Sequence, residues 1–161
     1  MTKTRIFLVV AVAAFVVQMM YIYPNLPATV ASHFDAAGNP NGWMTKGVFL
    51  IIEIGLIVLV VGEFLLVPRF VRRLPPSLVN MPNKEYWLAP EHIDETMEIF
   101  RSYFEVFGGV IVALFVVVNQ FVYAANTARS NLPGSIWMVI VAFLLFTVVW
   151  VIKFIGEFRL K

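Results

Sequence analysis

Few side chains in this 161-residue chain could do chemistry, and the best of them gather in one segment. His33 and Asp35 stand two residues apart, with Phe34 between them. In an extended segment they project to the same side. An imidazole and a carboxylate so placed suit a metal or proton site. Glu53, about two helical turns into the apolar stretch that follows, becomes a third ligand if the segment folds back. The same residues also have a plain structural use. His33 would bond the loop backbone, Asp35 would cap a turn toward Gly38, and Trp43 would anchor at a membrane interface. A third use is recognition, with His33, Phe34, Asp35, Trp43 and Lys46 as a candidate partner-binding surface. Met19, Met20, Met44 and Met138 offer thioethers, which suit Cu(I). They follow no recurrent methionine motif, and methionine equally fills gaps in apolar packing.

The other polar candidates sit inside apolar stretches. Glu53 and Glu63 are ten residues apart, or ~15 Å along a helix, too far for direct coupling. Glu63 is expected to form an intramembrane charge pair with Lys153. Glu53 has no cation within its own stretch, and Lys46 or His33 are its nearest candidates. Gln18, Asn119 and Gln120 fall in the same half of the chain's apolar stretches as Glu53. They are expected to form one polar cluster with it, although helix-to-helix hydrogen bonds account for the amides equally well.

The elements that must position these groups follow from composition. The chain is 60% hydrophobic and 14% charged, against ~45–50% and ~25% in ordinary soluble domains. A soluble enzyme, a disordered chain and a disulfide-stapled module are excluded. With no cysteine, thiol catalysis and thiolate metal sites are excluded as well. A bilayer core of ~30 Å requires ~20 apolar residues in a helix. Four stretches qualify: residues 6–23, 48–67, 106–125 and 136–155. Period-two alternation is absent from them, so they read as helices. The expected fold is all-α, a single membrane domain over 1–161. It is a four-helix transmembrane bundle with an ordered extracytoplasmic loop (24–46) and a cytoplasmic segment (68–105) that contains an amphipathic helix. Ile93, Met97, Phe100, Phe104 and Phe107 make one apolar stripe leading into the third span, expected to lie along the membrane or to extend the third helix into the cytoplasm. Tyr86 and Trp87 are expected to dock on headgroups or a partner.

Lys and Arg placement orients the chain. With the N-terminus cytoplasmic, Lys3, Arg5, Arg69, Arg72, Arg73, Lys84, Arg101, Lys153, Arg159 and Lys161 lie inside, and only Lys46 and Arg129 outside. Both termini are therefore expected in the cytoplasm of a multi-pass plasma-membrane protein. Gly55 with Gly62, and Gly109 with Ala113, read as close helix packing.

Residues 24–46 carry the most specific pattern. Pro24 and Pro27 end the first helix, and Gly38, Pro40 and Asn41-Gly42 form turns. The series Leu26-Pro27, Val30, His33-Phe34-Asp35, Gly38, Pro40, Gly42-Trp43 and Lys46 resembles the membrane family catalogued as domain of unknown function 1648. That domain also occurs in Sdp-type immunity proteins, which protect bacteria from a secreted toxin. Residues 80–90, from Asn80 through Tyr86-Trp87 to Pro90, are similar to segments of short members. The resemblance implies a bacterial or archaeal envelope location and suggests an immunity-like role with a toxin-like peptide as partner; an accessory subunit of a larger membrane complex is the other binding role expected.

No nucleophile with a base, phosphate-cradling glycine loop or zinc-protease helix occurs. The chain is expected not to be an enzyme and to need no cofactor. Its net charge of +2 gives no argument for nucleic acid. The expected partners are the lipid bilayer and a membrane-protein complex or peptide bound by the outer loop. The alternative is an ion- or metal-handling protein built on His33, Asp35 and Glu53.

Overall fold

The computed structural model describes residues 1–159; Lys161, counted above among the cytoplasmic charges, lies outside the described residues. Its elements are α1 (Lys3–Asn25), β1 (Thr29–Phe34), β2 (Pro40–Thr45), α2 (Lys46–Val71), α3 (Lys84–Trp87), α4 (Ile93–Ala128) and α5 (Ile136–Glu157), with a 3-10 turn over Pro76–Leu78. The four long helices are apolar and long enough to cross a membrane, the pattern of a multi-pass membrane protein. Large apolar side chains such as Val58, Leu59, Leu145 and Ile152 point outward from α2 and α5. In water such surface would be a liability; against acyl chains it is the expected exterior.

Helix starts and stops follow local chemistry. Thr2 caps α1, its hydroxyl accepting from the Arg5 N–H at 3.3 Å. Thr45 does the same for α2, accepting from Val48. Pro24 sits in the last turn of α1, and the chain leaves extended at Leu26. Leu8, Ala11, Phe15, Met19 and Ile22 recur every three or four residues along α1 and are buried. They pack with Val112 and Val122 of α4 and with Phe49 and Ile57 of α2. Gly109 permits the closest approach, since a Cβ there would stand 2.5 Å from the Phe7 ring.

Two expectations change and one alternative is resolved. The fold is not purely helical, because residues 29–45 pair as a two-stranded antiparallel hairpin. The apolar stripe from Ile93 takes one of its two expected forms: it extends the third span as the start of α4 and turns inward. Phe100 and Phe104 meet Phe154, and Phe107 lies 4.5 Å from the Trp150 ring. The bundle is also not closed. Helix α4 packs against α1, α2 and α5, while α2 and α5 share no substantial interface. As a result Gly55 and Gly62 of α2 face open space instead of a neighbouring helix.

The segment between α2 and α4 folds back on the foot of α5. Trp87 Nε1 and Asn83 Nδ2 both donate to the Phe158 carbonyl, at 3.0 and 2.8 Å. The buried Thr96 hydroxyl donates to the Trp87 carbonyl at 2.6 Å. The Trp87 indole is thus engaged within the chain.

Candidate functional site: the hairpin and the polar pairs beneath it

The hairpin exists because its backbone needs partners once Pro24 and Pro27 have ended the helix. Pairing runs from Thr29 opposite Thr45 to Phe34 opposite Pro40, with a bulge on either side of His33. Lys46 N–H donates to the Ala28 carbonyl at 3.0 Å and closes the hairpin onto α2. Val30 is fully buried beneath it. The tip turns at Gly38, whose φ of +83° is left-handed. A Cβ there would also fall 2.3 Å from the Leu132 carbonyl oxygen. That proximity is functional for the fold: Leu132 N–H donates to the Gly38 carbonyl at 2.9 Å.

Two further contacts hold the tip to the α4–α5 connection. Asn131 Nδ2 donates to Asn39 Oδ1 at 2.7 Å, and Trp137 Nε1 donates to the Ala36 carbonyl at 3.3 Å. Along β1, Asn126 of α4 acts like a partner strand. Its Oδ1 accepts from Ala31 N–H at 2.7 Å, and its Nδ2 donates to the Ala31 carbonyl at 3.0 Å. Between the tip and α5 lies a mostly apolar cavity of about 260 Å³, bounded by Phe34, Ala36, Pro133, Trp137 and Ile140.

The five candidate recognition residues divide by use. Asp35 holds the turn. Its Oδ1 accepts from the backbone N–H groups of Ala37 and Asn39 at 2.9 and 2.8 Å, and its Oδ2 accepts from Asn39 Nδ2 at 3.0 Å. The Asn39 side chain, its backbone N–H and the neighbouring amides hold this carboxyl below the usual carboxylate range. Phe34 is half-buried against the core and lines the cavity. Lys46 places its Nζ 5.2 Å from the Tyr23 ring centroid, a cation–π distance. His33 is exposed, its Nδ1 3.0 Å from Ser32 Oγ, and its ring lies against Gly42. Trp43 is 60% exposed. His33, Asp35 and Trp43 are exposed, and of these Asp35 is committed to its turn, which leaves His33 and Trp43 outward.

The His33, Asp35 and Glu53 trio does not assemble. Among the described residues no group of three His, Cys, Asp or Glu side chains is arranged to hold a metal ion. Asp35 is committed to its turn. Glu53 is 8% exposed and turns toward α4, where Asn119 Nδ2 donates to its Oε2 at 2.7 Å. Asn119 takes the place that Lys46 or His33 would have had.

The single outward polar cluster is instead two pairs, split by α4. Asn119 faces α2, whereas Gln18 of α1 donates to the Val116 carbonyl at 2.7 Å and to Gln120 Oε1 at 3.4 Å. Glu63 and Lys153 are both exposed and form no ion pair among the described residues. Their helices lean on α4 and not on each other, so the two side chains have no shared interface.

The strongest polar constellation was not among the candidates. Glu105 of α4 is 0% exposed. Arg5 holds its Oε1 through Nε at 2.7 Å and a terminal nitrogen at 2.5 Å. Thr4 and Thr2 hydroxyls donate to Oε2 at 2.6 and 3.2 Å. Two guanidinium nitrogens on one oxygen and two hydroxyls on the other satisfy this buried carboxylate with charge-assisted hydrogen bonds. Glu105 stands where the polar start of α4 becomes apolar, which is the only signal in the sequence.

No curated protein and no solved structure matches the chain. Most of α1, the whole hairpin and the first part of α2, Glu53 included, form one continuous segment. Within it, residues 9–56 match the family whose model is described as domain of unknown function, DUF1648.

Proposed function

We propose that this chain is a small membrane protein that binds a partner at its extracytoplasmic face through the hairpin, as an accessory subunit or in an immunity-like role. The observation that carries the reading is the division of labour within the hairpin. Asp35, Gly38 and Asn126 fix its backbone, while Trp43, at 60% exposure, makes no core contact that would explain it. A rigidly mounted, outward-facing tryptophan is a typical binding anchor. His33 stands outward on the same hairpin. The resemblance to the domain found in Sdp-type immunity proteins supports a peptide as the partner. The separation of His33, Asp35 and Glu53 weakens the ion- or metal-handling alternative.

The test is purification from native membranes in a gentle detergent, with mass spectrometry of what comes along. A stoichiometric partner is expected with the native chain. Trp43→Ala is expected to lower its recovery at least about tenfold, the ordinary effect of losing an aromatic anchor, with unchanged thermal stability. Equal recovery with Trp43→Ala and with His33→Ala would rule out the hairpin as the contact.

A further inference from the structure

The end of the molecule opposite the hairpin holds a second feature, independent of the partner-binding reading. Helices α1, α2 and α4 converge there around a cavity of about 170 Å³. Four arginines line it: Arg5 from α1, Arg69 and Arg72 from α2, and Arg101 from α4. No carboxylate lines it. Its remaining wall is apolar, and Phe64 and Leu65 stand one to two turns deeper along α2 than Arg69 and Arg72.

Such a gathering of like charge requires counter-charge, and the chain supplies it unevenly. Arg5 is tied to the buried Glu105. Arg72 meets Asp94 at 2.8 Å, but the two side chains are 54% and 80% exposed. Arg101 reaches Glu98 only at 3.4 Å, again between exposed groups. Exposed pairs of this kind contribute little and exchange readily. Arg69 has no carboxylate partner among the described residues; it donates to the Leu65 carbonyl of its own helix. Finally, Arg101 Nε is buried without an acceptor. A buried orphan donor asks for a missing group. Four guanidinium groups against Glu105, Asp94 and Glu98 leave one positive charge, 4 − 3.

We propose that this cavity is a binding site for a phosphate-bearing anion, occupied in the membrane by the headgroup of an anionic phospholipid. Guanidinium forks match phosphate oxygens two at a time, which lysines cannot do. The acceptor takes the open donors of Arg69 and Arg101 and draws Arg72 from its exposed carboxylate. The apolar wall at Phe64 and Leu65 receives the start of the acyl chains. Basic pockets between spanning helices bind acidic headgroups by this chemistry.

The test compares thermal stability and lipid retention of the detergent-purified full chain in three additions. These are phosphatidylcholine alone, phosphatidylcholine with phosphatidylglycerol, and inorganic phosphate. Arg69→Gln/Arg72→Gln removes two exposed guanidinium groups without touching the Arg5–Glu105 pair. Arg73→Gln, adjacent but outside the cavity, controls for general attraction to anionic lipid. Phosphatidylglycerol is expected to stabilise the native chain and Arg73→Gln alike, with affinity lowered about tenfold or more in Arg69→Gln/Arg72→Gln. Stabilisation by inorganic phosphate alone, lost in the same double variant, supports the anion site with a soluble source in place of a lipid. Equal binding of phosphatidylglycerol to the native chain and the double variant overturns the proposal. So does stabilisation by phosphatidylglycerol no greater than by phosphatidylcholine, if phosphate also has no effect.

Discussion

At the scale of single residues, the Arg5–Glu105 pair is the most consequential contact, and its two halves are not equivalent. Arg5 is 31% exposed and Glu105 1% by side chain. Removing the arginine strands a buried carboxylate, while neutralising the acid leaves a guanidinium that can turn to water. Losing one partner of a buried pair costs about 3–5 kcal/mol. Arg5→Ala is expected near that range, partly offset by the Thr2 and Thr4 hydroxyls. Glu105→Gln keeps the shape and is expected to cost about 1–2 kcal/mol. Thermal unfolding in detergent checks the order; a larger loss for Glu105→Gln would contradict it. Asp35 gives a second prediction. Hydrogen bonds hold its carboxyl below the usual range in the folded chain. The turn's contribution is therefore fully present above the ordinary carboxyl value, ~3.9, and is lost as pH falls through the lowered one. The amide resonances of Ala37 and Asn39 should titrate with a midpoint below ~3.9, and Asp35→Ala should abolish that titration. Neither residue's partner could be read from the sequence in the same way. Asp35 bonds within four positions, so its turn role was legible. Arg5 and Glu105 are 100 residues apart; Arg5 has a sufficient local reading as a topology charge, and nothing near Glu105 in the sequence names its partner.

At the scale of elements, the four helices were legible because apolar length alone decides a membrane span. The strands were not. The bulges flanking His33 break the alternation that would announce β1, and Pro40, Asn41 and Gly42 in β2 read as turn formers. The contact between the hairpin and α4 was hidden for another reason. Depth along a helix can be counted from the sequence, but the face a side chain presents depends on which helix lies beside it. The expected cluster of Glu53 with Asn119 forms, but Gln18 and Gln120 meet on another face of α4. Glu63 and Lys153 were paired on depth, but their helices do not share a seam. Asn126 shows what the mounting of the hairpin depends on. It bonds both backbone groups of Ala31, which is 7% exposed. Asn126→Ala would leave those groups without partners at a cost of about 1–3 kcal/mol. The expected outcome is a lower unfolding temperature with faster hydrogen exchange at Ala31. Unchanged protection of Ala31 would show that β2 alone holds the strand.

At the scale of the whole molecule, the hairpin stands at one end and the arginine cavity at the other, with α4 as the post between them. Any function of the hairpin depends on which side of the membrane it faces. We propose the extracytoplasmic side, on physical grounds that concern the arginines. Arg69, Arg72 and Arg101 share the end opposite the hairpin, whereas Lys46 and Arg129 alone lie near it. Basic residues are retained on the cytoplasmic side during insertion. The absence of cysteine makes the test clean, since a single introduced thiol is the only one present. Ser130→Cys, exposed beside the hairpin, is expected to react with a membrane-impermeant maleimide in intact cells. Ser77→Cys, exposed between α2 and α3, is expected to react only after permeabilisation. The reverse pattern would put Trp43 in the cytoplasm and remove a secreted peptide from consideration as its ligand. It would also turn the arginine cavity toward the outer leaflet, where the charge bias that favours anionic headgroups is weakest. The two proposals thus share one orientation, and this labelling experiment can fail both while leaving the fold intact.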